Sequence, residues 1–259
     1  SNAFTIPTIT YAEAMELSHF GAKVIYPPSL QPAFVKNIPI KVLNTFNTAS
    51  AGTTVHNTSD ETPFAITGIS SIDDIALVNV QGSGLIGVAG VSARLFSALS
   101  RHKISVILIS QASSEHSICF AIDPKNADRA KEVLDQVFAP EINAGDIDRD
   151  GIQIQKNVSI IAIVGEGMRR STGVSGKLFT ALGKNGINVI ATAQGSSELN
   201  ISVVIQKNDL SKALNAIHGV FFQSEVRTLN LFIVGTGLIG STFLRQLAAQ
   251  SDYLAKEKL

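Results

Sequence analysis

Gly82-Ser83-Gly84-Leu85-Ile86-Gly87-Val88-Ala89-Gly90-Val91-Ser92-Ala93-Arg94-Leu95-Phe96 is met again, 83 positions later, as Gly165-Glu166-Gly167-Met168-Arg169-Arg170-Ser171-Thr172-Gly173-Val174-Ser175-Gly176-Lys177-Leu178-Phe179. Continued without a gap, residues 82–122 lie over 165–205, and about 18 of those 41 positions are identical. Ordinary composition gives roughly one match in fifteen by chance. The chain therefore contains one structural unit twice, and that repeat outranks any single motif as a guide to fold.

Each copy reads in the same order. An apolar, β-branched run (75–80; 158–164) predicts a buried strand, and a glycine-rich loop follows it. Val91, Leu95, Phe96 and Leu99 then recur at helical spacing, as do Val174, Leu178, Phe179 and Leu182. A second strand is expected over 104–110 and 187–193, a third over 117–122 and 200–205, and a second helix over about 125–138 and 208–217. With a closing strand this is a ferredoxin-like βαββαβ unit, so the fold class is α+β. Residues 151–155 can close the first unit and residues 219–226 the second. Alternatively, one unit borrows 64–69 from before the repeat, and the two are interleaved.

Composition narrows the function classes. In 259 residues, 21 Lys and Arg balance 21 Asp and Glu. Such a chain lacks the basic surface that phosphate neutralisation requires, so no nucleic-acid partner is expected. No apolar run approaches the ~20 residues of a membrane span, and a cytoplasmic protein is expected. Residues 1–3 read as a tag remnant rather than a leader. One cysteine and five scattered histidines offer no metal-ligand cluster. Cys119, in an alternating run, reads as a core strand residue.

Two stretches fit G-x-G-x-x-G after an apolar run, 82–87 and 235–240. The first has Arg170 where its repeat partner has Gly87, yet the surrounding pattern is unchanged. It reads as a loop for a ligand smaller than a dinucleotide. The second follows 231–234 and precedes an amphipathic stretch from Ser241 to about Gln250, as a dinucleotide-binding turn should. The acidic ribose contact and second strand of such a domain fall near or beyond Leu259, so this chain by itself is expected to hold no cofactor.

Two units with these loops resemble the paired ACT modules of aspartokinases. Thr10-Tyr11-Ala12-Glu13-Ala14-Met15-Glu16-Leu17-Ser18-His19-Phe20-Gly21-Ala22-Lys23-Val24-Ile25-Tyr26-Pro27-Pro28 is similar to the end of the aspartokinase catalytic domain, with Tyr26 where the family usually has His. Ile40-Lys41-Val42-Leu43-Asn44-Thr45-Phe46-Asn47 is similar to the strand joining kinase to regulatory region. Asn230-Leu231-Phe232-Ile233-Val234-Gly235-Thr236-Gly237-Leu238-Ile239-Gly240 resembles the opening of a homoserine dehydrogenase. The order resembles that of the bifunctional aspartokinase–homoserine dehydrogenases. The resemblance implies a kinase tail and linker over 4–63, ACT units over 64–155 and 156–228, and a truncated dehydrogenase start over 229–259. It also implies ATP with magnesium, and NAD or NADP, as cofactors of the parent enzyme. The pyrophosphate contacts would be Gly235, Gly237, Leu238, Ile239 and Gly240. This fragment alone is expected to be catalytically inactive.

A free amino acid needs donors for its carboxylate and acceptors for its ammonium, because both lose water on binding. Helix N-termini supply the donors, which points to Gly87, Val88, Ala89 and Val91 in the first unit and Thr172 and Val174 in the second. Ser92 and Ser175 read as helix caps, and Glu115 and Glu198 as surface turn residues. By resemblance to threonine-sensing relatives, Gln111 and Gln194 contact the effector. Ser105, Val106, Ile107, Asn188, Val189 and Ile190 are expected to line the same niches. Lysine-sensing relatives usually carry an aspartate at the position of Ile107. The resemblance therefore implies threonine as effector, within a homo-oligomer paired through the ACT units. Two other readings stay open: a self-contained dinucleotide-dependent oxidoreductase, and an oligomerisation module that binds nothing.

Overall fold

The computed structural model describes residues 4–58, 64–82, 88–111, 117–147, 150–223, 233–235 and 237–250. At its start, β1 (Thr8–Thr10) leads directly into α1 (Tyr11–His19). Thr10 caps α1, and the Glu13 side chain reaches back to the Thr10 N–H, a reciprocal box that fixes the helix start. Then come α2 (Pro27–Val35), opened by prolines where no N–H is needed, β2 (Ile40–Val42) and β3 (Thr53–His56). β3 is central, parallel to β1 and antiparallel to β2. Ile9, Tyr11, Ala14, Leu30 and Val55 form the small core beneath.

The repeat forms one six-stranded sheet. Its first copy supplies β4 (Gly68–Gln81), α3 (Val91–Arg101), β5 (Val106–Gln111), β6 (Ser117–Ile122), α4 (Ala127–Val137) and α5 (Ala139–Ala144). The second supplies β7 (Ile152–Val164), α6 (Val174–Lys184), β8 (Val189–Gln194), β9 (Asn200–Gln206) and α7 (Leu210–Phe222), and α8 (Leu238–Ala249) follows. Strand order is β5-β6-β4-β7-β9-β8, with every neighbouring pair antiparallel.

β4 and β7 each serve both units. The far half of β4 pairs with β6, while its first residues, from Gly68 to Ile72, lie along the end of β7 as the fourth strand of the second unit. In return, Ile152 to Gln155 close the first unit. The units are interleaved, as the alternative with 64–69 had it, and the closing strand expected at 219–226 is corrected, residues 224–226 lying outside the described residues. Residues 219–222 belong to α7, where Ala213, Ile217 and Phe221 bury one face at four-residue spacing. The place on the sheet is already taken.

Two bulges make this sharing possible. Between the pairs Ile72–Ile160 and Ile75–Val158, β4 carries one extra residue; between Ile75–Val158 and Leu77–Gln155, β7 does. Asn157, at φ 61, stands in the second. Alternation changes parity across them. In β4, Ile69 faces the helices of the second unit, but Ala76, Val78 and Val80 face those of the first. In β7, Ile152 and Ile154 face the first helix layer and Ile161 and Ile163 the second. Helices of both units therefore cover the same side of the sheet.

The other side is a shared inner core of Ile75, Leu77, Leu108, Ala121, Val158, Ile160, Ala162, Val164 and Val204, joined by Phe20 after α1. Ser70 anchors that helix end by donating to the carbonyls of Leu17 and Phe20, at 3.1 and 2.9 Å. Near the C-terminus, the expected strand 231–234 lies half outside the described residues, and Ile233 and Val234 are not in a strand. No residue of α8, which starts at Leu238 rather than Ser241, is buried.

Candidate functional site

The two helices that follow the repeated loops begin alike. Gly90 precedes α3 at φ 91 and Gly173 precedes α6 at φ 82, left-handed positions that favour glycine. Among the described residues no side chain caps either helix. The expected capping role of Ser92 and Ser175 is therefore corrected: each sits at the second helical position, beyond the glycine that ends the loop. The first-turn N–H groups of both helices stay available to an anion. Val88, Ala89 and Thr172 are exposed beside them, whereas Val91 and Val174 are buried in the two helix-side cores. Gly87 and Glu115 lie outside the described residues, and Glu198 occupies an exposed turn at φ 53.

The repeated glycines have a steric reason. A Cβ on Gly82 would meet the Asp146 carbonyl oxygen at 2.4 Å, and one on Gly165 would meet Ile66 Cα at 2.6 Å. In both units the loop is pressed against the backbone of the segment that feeds the fourth strand. At the second G-x-G-x-x-G, Gly235 is left-handed at φ 93, and a Cβ on Gly240 would lie 2.3 Å from its carbonyl oxygen. Gly237 starts α8, with Leu238 and Ile239 exposed in its first turn. Among the described residues this segment comprises a turn and one helix.

Gln111 and Gln194 end β5 and β8, both exposed. β5 runs with β4, so Gln111 is at the end of the sheet from which the loop to α3 departs. Ser105, Val106 and Ile107 are at the other end of that strand, ~20 Å away at ~3.3 Å per residue. Asn188, Val189 and Ile190 stand likewise in the second unit. One unit therefore does not gather its own loop and its own strand start into one niche. Ser105 and Asn188 are exposed, Val106 and Val189 pack on the helix-side cores, and Ile107 and Ile190 pack on the inner core.

The two edge strands do meet. β5 and β8 run in opposite senses, and the Ser110 hydroxyl donates to the Thr192 carbonyl at 2.9 Å. Position 192 less the repeat offset of 83 is 109, so this contact sits beside the pseudo-twofold axis. Each glutamine-bearing strand end is thereby directed toward the start of the other edge.

Sequence reasoning missed a residue. The buried Glu13 carboxylate accepts from the Glu166 N–H in the loop before α6 at 2.9 Å and from the Thr67 hydroxyl at 2.6 Å. Its signal was the T-x-x-E spacing of Thr10 and Glu13. An apolar cavity of about 410 Å³ lies nearby, lined by Ile6, Leu17, Val55, Ile69, His218 and Phe222 among others, and no predicted effector contact lines it.

Cys119 packs on the inner core, and burial pushes its thiol up to about 11. Near pH 8 its thiolate fraction should be about a hundredfold below that of an ordinary cysteine. Labelling by a disulfide reagent should be slow in buffer and fast in denaturant, and equal rates would contradict the burial. Among the described residues no His, Cys, Asp and Glu group could hold a metal, and no helix is long and apolar enough to cross a membrane.

A family model described as ACT domain matches residues 78–138 and 161–221. Over 258 residues, 100% of this chain and 31% of the other protein, the sequence is 40% identical to the bifunctional aspartokinase/homoserine dehydrogenase of Haemophilus influenzae. Aspartate kinase of Clostridium acetobutylicum superposes with a TM-score of 0.76 at 28% identity, over 85% of this chain and 50% of that one. E. coli aspartokinase III in its T state, in complex with lysine and aspartate, superposes at 0.67 with 25% identity, over 84% and 46%.

Proposed function

The chain belongs to the bifunctional aspartokinase/homoserine dehydrogenase family, as a segment built around two ACT domains, and from that premise we propose that it senses threonine for feedback control of the whole enzyme. The observation that carries this reading is the pair of uncapped helix starts at Gly90 and Gly173, in a fold whose edge strands end in Gln111 and Gln194. The effector carboxylate accepts from the N–H groups of Val91, Ser92 and Ala93, or of Val174, Ser175 and Gly176. Its ammonium donates to a glutamine side-chain oxygen. Val88, Ala89 and Thr172 border the niches, and Ser105 and Asn188 approach from the opposite unit.

The E. coli relative was crystallised with lysine. Here Ile107 and Ile190 offer no carboxylate, so a lysine ammonium would lose water without gaining a partner. Threonine, with one methyl and one hydroxyl, carries no such charge. Regulation then follows from unequal affinity for two arrangements of the units, typically worth about 1–3 kcal/mol of coupling. In the whole enzyme, ATP with magnesium serves the kinase and NAD or NADP the dehydrogenase. Gly235, Gly237, Leu238, Ile239 and Gly240 would hold the pyrophosphate there, and this segment contributes no catalytic group. We assign the pairing with a second copy of the chain to the ACT units.

Threonine at about 100 times its dissociation constant should stabilise the chain by ~2.7 kcal/mol. Melting curves recorded in threonine, lysine and methionine test this. The reading predicts a rise with threonine alone; no rise, or an equal rise with lysine, would overturn it.

A further inference from the structure

We propose that Glu13 is a positioning residue for the second unit's effector niche, so that effector binding at α6 and the seating of α1 form one equilibrium. This rests on the reading that the start of α6 receives the effector carboxylate. Glu13 is 4% exposed, and the hydrogen bonds to its carboxylate come from neutral donors. Oε2 completes the helix cap by accepting from the Thr10 N–H and hydroxyl, at 3.0 and 3.2 Å. A capping box needs no more than that oxygen. Oε1 is surplus to the helix, and it accepts from Thr67 and from the Glu166 N–H.

Glu166 opens the 3-10 turn, Glu166–Arg170, that leads through Gly173 into α6. Thr67 leads into β4. One carboxylate thus holds the helix α1, the fourth strand of the second unit and the loop that places the α6 N–H groups. Burying a carboxylate without a cation is costly unless its lone pairs are filled. Removing the group therefore loosens the loop more than one neutral hydrogen bond would. The Thr10 hydroxyl adds to the linkage, having one hydrogen to share between Glu13 and Glu166, each 3.2 Å away.

The device is one-sided. α1 occurs once in the chain, outside the repeat, and the position matching Glu166 in the first copy is Ser83. Among the described residues, the niche at α6 is tied to α1 through Glu13 and the niche at α3 is not.

The test combines substitutions in the full chain. Gln111→Ala leaves the second niche to be read by threonine calorimetry, and Gln194→Ala leaves the first. Glu13→Ala should weaken threonine binding about tenfold in the Gln111→Ala background, as loss of a charge-assisted hydrogen bond does. It should change binding less than about twofold in the Gln194→Ala background. Glu13→Gln keeps an oxygen for the Glu166 N–H and should recover binding to within about threefold. Glu13→Asp keeps charge at the helix start but loses reach, and should repeat the alanine loss if the alanine variant does not fold. Equal loss in both backgrounds, or none, overturns the proposal. If the unsubstituted chain binds no threonine, the functional reading has failed instead. Ligand-free hydrogen exchange then still decides the positioning. Glu13→Asp should speed exchange of residues 166–172 about tenfold while α3 is unchanged, and unchanged exchange at 166–172 overturns it.

Discussion

Gly165→Ala should destabilise the chain by about 3 kcal/mol, while Gly176→Ala in α6 should stabilise it by up to ~1 kcal/mol. Gly165 has an extended backbone at φ 170, which any residue can adopt, so space alone forbids a side chain. An added methyl would meet Ile66 Cα at 2.6 Å and the Thr67 nitrogen at 2.7 Å, both backbone atoms. Neither can retreat cheaply. Ile66 is buried in the second helix-side core, and the Thr67 N–H donates to the Val164 carbonyl at 2.7 Å. Gly176 meets nothing within 4 Å, and in a helix alanine is the better residue. Thermal melts of the two variants should move in opposite directions, the first downward by about 6–12 °C. A Gly165→Ala melt within a degree of the parent chain would refute the close crossing.

Residues 156–228 produced alone should not fold. That fragment holds the helices and strands of the second copy apart from the first four residues of β7, which serve the first unit, but its fourth strand comes from Gly68 to Ile72 and its core includes Ile66. Without them the edge of β7 is unpaired over five residues, and the inner core loses Ile75, Leu77, Leu108 and Ala121. Small units rarely survive losses on both faces. Dispersion of amide resonances and a cooperative melt should both be absent, and the intact chain should unfold through both units together. Adding a peptide of residues 64–74 should restore part of the dispersion. A fragment that melts cooperatively by itself would show the interleaving to be dispensable.

Much of this fold could be read from residues. Two copies carried the same periodicities, so helix and strand assignments in one checked those in the other. The second unit's closing strand was legible only as the alternative over 64–69, because residues 68–74, Gly-Ile-Ser-Ser-Ile-Asp-Asp, have no apolar run. Ser70 is tolerated there because α1 carbonyls accept its hydroxyl hydrogen. Val220, Phe221 and Phe222 have strand-like propensity, yet Phe221 continues the buried face of α7 and packing decided. At the candidate site, the glutamines and glycine loops were visible through repetition. Ser105, Ile107 and their counterparts were assigned to their own unit's niche because no one-dimensional pattern shows which end of a strand faces a loop. Glu13 announced only its local cap; its second partner, Glu166, lies 153 residues away and nothing nearby in sequence points to it.

The paired bulges in β4 and β7 also mean that the two halves of each strand are read in different frames. Removing Asp74 alone would restore uninterrupted alternation along β4, with Ile72, Ile75 and Leu77 still on the inner face and Ala76, Val78 and Val80 still under the helices, but it would leave the β7 bulge without its counterpart. A single-codon deletion there would act like a skipped tooth in a zip: each side chain keeps its side, but one half of the strand meets its partners one step out of place.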